Sequence, residues 1–133
     1  MRAIPLCLLF ALACSAPKRD YTADQIASET EFDKLMHVQA TVADPRFKLA
    51  KKLDAANMTG NDFEQFLDMG RRLQLTSGRI GQIAKSDFGG LNAQLGKQAK
   101  QLEIAAGGKD GAATLKAARA IEKTCATCHA EYR

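Results

Sequence analysis

From Tyr21 onward the apolar positions recur at intervals of three and four, the period of one helix face, and no β-branched run suggests a strand. The first stripe carries Ile26, Phe32, Leu35, Met36, Gln39, Ala40 and Ala43. It is preceded by "TADQ", Thr22 to Gln25, which has the T-x-x-Q form of a capping box. At Asp44-Pro45 the pre-proline restriction is expected to end or kink the helix, with Phe47, Leu49 and Leu53 as a candidate second short segment. Another T-x-x-acid start at Thr59–Asp62 opens a stripe of Phe63, Phe66, Leu67, Gly70, Leu73, Ile80 and Ile83. A third helix, expected from about Ser86, steps through Phe88, Leu91, Leu95, Ala99, Leu102 and Ala106, and Gly107-Gly108 closes it. Asp110 can cap the last helix, whose stripe runs Leu115, Ala118, Ile121, Cys125, Cys128 and Tyr132. Four amphipathic segments with short connections predict an all-α fold, an antiparallel four-helix bundle. No internal repeat or low-complexity tract interrupts the pattern.

The N-terminus departs from this periodicity. Met1-Arg2 leads into the apolar run "AIPLCLLFALAC" and then, abruptly, "SAPKRD". One positive charge, a short apolar stretch and small residues at its end are the layout of a secretory signal. The run is shorter than the ~20 residues that span a bilayer. Residues 1–13 are therefore expected to be removed, residues 14–21 to form a tether, and residues 22–133 to fold. "ALAC" also resembles a bacterial lipobox with a partial match, which would make Cys14 a lipidated membrane tether. Cleavage after Ala13 by the small-x-small rule is the other reading. Both readings export the protein to the periplasm.

Composition narrows the picture further. At 133 residues the chain suits one core. Its formal charge of +4 is scattered rather than clustered, which argues against a nucleic-acid surface. Loss of residues 1–13 removes Arg2 and no acidic residue, lowering the charge to +3. It also removes Cys7, so beyond Cys14 the folded domain keeps only Cys125 and Cys128.

Those two cysteines stand in "CATCH", with His129 next to Cys128. Three residues apart on a helix, they share one face. A zinc site needs four ligands, and outside the motif only His37 could add a nitrogen. A thioredoxin-like pair sits at a helix N-terminus, the opposite electrostatic end from this one. A plain disulfide leaves the adjacent histidine without a role. Covalent attachment of one haem c accounts for all three residues: Cys125 and Cys128 as thioethers, His129 as proximal iron ligand.

The motif's place on the last helix, after "LKAARAIEKT", resembles the class II c-type cytochromes: cytochrome c′ and its low-spin, methionine-ligated relatives. The resemblance is strong over Leu115–Arg133, weaker over the first helix, and lies mainly in pattern between them. It implies a four-helix bundle with haem held between helices and one edge reachable from solvent. In the family the distal residue lies on the first helix. Methionine there gives a six-coordinate electron carrier, and a non-ligating residue leaves iron open to NO or CO. In "FDKLMHVQA" Met36 falls on the ligating position, while Phe32 replaces the family's arginine. Met36 as core filler is the competing structural reading. His37, about 100° away around the helix, cannot face the iron together with Met36. Met58 and Met69 lack a family match.

The resulting expectation is a periplasmic monohaem one-electron carrier, not an enzyme, with His129 and Met36 as iron ligands. The alternative is a five-coordinate cytochrome c′ that binds NO or CO. Apolar residues such as Phe63, Phe66 and Leu95 are expected around the porphyrin, and Glu122 and Glu131 on solvated faces. The partners would be unidentified redox proteins, and the resemblance leaves a homodimer open.

Overall fold

A computed structural model describes residues 21–132. The expected signal segment 1–13, Cys14 and the tether up to residue 20 lie outside the described residues. The elements are α1 (Ala23–Ser28), α2 (Phe32–Ala50), a 3-10 turn (Ala55–Asn57), α3 (Gly60–Ile83), α4 (Leu91–Gly107) and α5 (Gly111–Tyr132). The last four helices form the all-α antiparallel bundle, and no strand occurs among the described residues. Neighbours in sequence pack side by side, α2 also packs on α5, and the diagonal pairs meet little.

Local chemistry starts the helices where expected. Thr22 and Thr59 each cap a first turn, accepting the N–H of Gln25 and Asp62, while those side chains accept the threonine N–H in return. Asp110 accepts the N–H of Ala113 at the start of α5.

Two expectations change along the first stripe. Thr22 opens only the short α1, because the Glu29 carboxylate accepts the N–H groups of Thr30 and Glu31 at 2.8 and 2.9 Å and turns the chain. Helix α2 then runs through Pro45 to Ala50 as one element. Proline removes the amide that would reach the Thr41 carbonyl. The helix tolerates that loss because Val42, Ala43, Phe47 and Ala50 are all buried on its inner face, and each buried apolar side chain favours the helical register by about 1–3 kcal/mol.

Tyr21, placed by sequence in the tether, packs against the core. Its carbonyl accepts from the Arg72 guanidinium, and the Glu29 carbonyl accepts from Arg79 Nε at 2.6 Å. Two α3 arginines thus hold both ends of α1, while Ile26 is buried beneath it.

The tightest pairing is α3 with α4. A Cβ added at Gly70 would lie 2.8 Å from both the Ala99 carbonyl oxygen and the Glu103 nitrogen, and one at Gly96 would lie 3.0 Å from Ser77 Oγ. Ser77 Oγ donates to the Asn92 carbonyl at 2.8 Å, and Asn92 Nδ2 donates back to the Ser77 carbonyl at 3.1 Å. Gly111 likewise admits the Ala55 carbonyl against the start of α5.

Between α3 and α4 the chain turns through Phe88, Gly89 and Gly90, all at positive φ. Phe88 (φ 53°) therefore belongs to the turn and not, as its spacing suggested, to the helix.

Gly70→Ala should destabilise the fold by about 1–3 kcal/mol through forced separation of α3 and α4. Gly78→Ala, in the same helix with open space at its Cβ position, should stabilise by about 0.5–1 kcal/mol. Urea unfolding midpoints of the two variants check the contrast.

Candidate functional site

One cavity of about 290 Å³ opens at the end of the bundle where α2 and α5 part. Its α2 wall carries Met36, Gln39, Ala40, Ala43, Asp44 and Phe47. Facing it, α5 supplies Thr124, Cys125, Cys128 and His129. Ile80 of α3, Leu91, Asn92 and Leu95 of α4, and Phe88 of the turn complete the lining. The volume lies near the lower end of the ~300–1,000 Å³ typical of small-molecule pockets. Asp44 and His129 are exposed at its rim.

All four residues singled out by sequence meet here. Met36, Cys125 and Cys128 are half-buried, and the two cysteines are free thiols. The competitors lie elsewhere. His37 is exposed outside the cavity, Met69 is wholly buried in the core, and Met58 packs against the core near the 3-10 turn.

The expected apolar surroundings are right in kind and partly wrong in identity. Leu95 lines the cavity, whereas Phe66 is fully buried in the core and Phe63 lies outside the lining. Phe47 and Phe88 take their place. Phe88 stacks on Phe32 with ring centroids 5.3 Å apart and meets Tyr132 edge-on at 5.5 Å. Tyr132, expected inside, stays half-exposed, and Glu122 pairs with Lys51 at 2.8 Å across α5 and α2.

Sequence reasoning placed Gln39 on the inner stripe without giving it a function. A polar residue recurring at an apolar position was the available signal. Phe88 could have been suspected from "FGG", whose paired glycines favour a left-handed turn.

Burial pushes the Cys125 thiol up to about 11, with Cys128, Asp44 and Glu122 adding negative charge nearby. Burial, then Glu131, raises Cys128 as well. Both groups are thiols rather than thiolates at neutral pH, which makes them slow in thiol exchange. No three His, Cys, Asp or Glu residues cluster as a metal site among the described residues. The site instead offers two adjacent S–H groups on one helix face, an imidazole beside them, and a thioether and apolar walls opposite. That donor set fits a covalently attached haem.

Residues 83–133 match the Cytochrome C′ family, a stretch that spans the Phe88 turn, α4 and α5 with the Cys-x-x-Cys-His motif. No curated protein and no solved structure matches the chain. The match and the bundle support the class II c-type cytochromes, and with them comes a covalently attached c-type haem as cofactor. No described helix is long and apolar enough to cross a membrane.

In the haem-free chain at pH 8, Cys125 should be alkylated about a hundredfold more slowly when folded than in urea, reflecting its smaller thiolate fraction. Because the folded pKa is raised, the rate should climb about tenfold per pH unit until near 11. Mass-resolved iodoacetamide kinetics check both slopes.

Proposed function

We propose that this protein is a periplasmic monohaem c-type cytochrome that carries one electron at a time. Cys125 and Cys128 would hold the haem as thioethers, His129 would be the proximal iron ligand and Met36 the distal one. The observation that carries this reading is the placement of Met36 on the α2 wall of the same cavity whose α5 wall bears Cys125, Cys128 and His129. The exposure of His37 outside that cavity favours methionine over bis-histidine ligation.

Haem supplies a reversible Fe(III)/Fe(II) couple. The chain's contribution is to set it. A thioether from Met36 is a soft donor that favours Fe(II), and apolar walls from Phe47, Ile80 and Leu95 disfavour the extra charge of the oxidised state. His129 and Asp44 at the exposed rim mark the side from which a redox protein could approach.

The export signal in residues 1–13 supports a periplasmic location, where haem attachment occurs. A lipid on Cys14, a redox-protein partner and a homodimer belong to the same reading as proposals.

Produced in a host competent for cytochrome maturation, the polypeptide should carry one added tetrapyrrole by mass and stay red on denaturation. An unmodified mass overturns the reading. Met36→Ala should abolish the far-red sulfur-to-iron band, switch the iron to high spin and open it to CO. A wild type that already binds CO rapidly in the reduced state would instead support the five-coordinate, NO- or CO-binding alternative.

A further inference from the structure

Gln39 is a polar residue on the inner face of α2. It is only 7% exposed and lines the cavity three residues after Met36, on the same side of the helix. Its amide is not free to turn. Thr76 of α3, wholly buried, has Oγ1 3.1 Å from the Leu73 carbonyl oxygen. A carbonyl can only accept, so the threonine proton is committed there. Thr76 Oγ1 can then only accept from Gln39, and the group that meets it at 3.1 Å is Nε2. The Gln39 carbonyl is the end left to the cavity, and it has no donor among the described residues.

Asn92 repeats the arrangement from α4. Its Nδ2 donates to the Ser77 carbonyl, leaving its own side-chain carbonyl without a donor among the described residues. The one hydroxyl on the wall, that of Thr124, donates to Gln98 Oε1 at 2.7 Å. With the Asp44 carboxyl at the rim, the polar groups of the lining outside the Cys125–His129 motif present mainly acceptors.

We propose that Gln39 is a tuning residue whose fixed carbonyl makes the cavity favour oxidised over reduced iron and, wherever the sixth position is open, favour ligands that bear N–H or O–H over carbon monoxide and nitric oxide. The proposal rests on the haem reading above. An amine or water bound at the iron would carry protons that an unpartnered acceptor in the cavity wall could take up. Carbon monoxide bound there would carry no proton, so the same carbonyl could offer it no hydrogen bond. The negative end of the amide dipole also lies more favourably beside the higher charge of Fe(III). Thr76 acts through Gln39 as its positioning residue.

The test uses the holoprotein. Gln39→Leu, apolar and unable to ligate iron, should raise the reduction potential with Met36 in place. In the Met36→Ala background, where the sixth position is free, Gln39→Leu should weaken methylamine binding to ferric iron about three- to tenfold, the worth of one hydrogen bond. Carbon monoxide binding to ferrous iron should hold or tighten. Thr76→Val, which lets the amide turn, should shift the potential and the methylamine-to-carbon monoxide ratio in the same direction and by less. It carries the test alone if Gln39→Leu holoprotein does not accumulate. An unmoved potential and an unmoved ratio, with the haem spectrum intact, overturn the proposal even if the unfolding midpoint falls. A variant and wild type that both lack haem overturn the functional reading instead, a result the visible spectrum separates.

Discussion

The backbone contact between α3 and α4 governs where this bundle can hold anything else. At Gly70 the two helices approach so closely that a methyl group would meet the Ala99 carbonyl and the Glu103 amide. Gly96 against Ser77, and the reciprocal Ser77–Asn92 hydrogen bonds, continue that seam toward the start of α4. Four helices cannot all pack at such distance around large side chains without leaving room elsewhere. The room is left between α2 and α5. The far end of that pair is closed by the Lys51–Glu122 ion pair and by the Ala55 carbonyl lodged on Gly111. The surface ion pair adds little energy, so the glycine contact is the firmer closure. The opening is thus confined to the end where Met36 and the terminal motif face each other.

The opposite flank is held by the arginines of α3. Arg72 reaches the Tyr21 carbonyl and also the Asp68 carboxylate, with Nε 2.9 Å from Oδ1, while Arg79 takes the Glu29 carbonyl. A carbonyl bonded to a guanidinium gains a charge-assisted contact, stronger than a neutral one. These contacts, with Ile26 beneath, let a six-residue helix persist that is too short to be stable alone. They fix Tyr21 and α1 against α3.

What the sequence revealed tracks the range of each interaction. The caps at Thr22, Thr59 and Asp110 were legible because each partner lies three residues away. The Cys125–His129 motif was legible because one helix contains it, and Met36 became a candidate through the family resemblance. The break after α1 was not legible, since it depends on Glu29 folding back on its own backbone and on Arg79 fifty residues on. The passage of α2 through Pro45 was hidden for a related reason, because packing overrode a local rule. Phe66 fits its stripe as well as Leu95 fits its own, and periodicity alone cannot tell a core face from a cavity wall. Gln39 has a meaning only once Thr76 stands opposite.

The cavity also joins two electrostatic tendencies that oppose one another. Its apolar walls withhold solvation, the cause of the raised Cys125 thiol, and the same surroundings would weigh against a net positive charge on iron. A low-dielectric wall at the same time strengthens the field of any dipole fixed within it. Gln39 is such a dipole, held from behind by a hydroxyl whose proton is already committed to Leu73. Desolvation acts on whatever charge the cavity holds, but the amide acts with a direction. A haem held as proposed could have its potential shifted at residue 39 without altering either proposed iron ligand, because the amide is anchored to α3 while Met36 and His129 belong to α2 and α5.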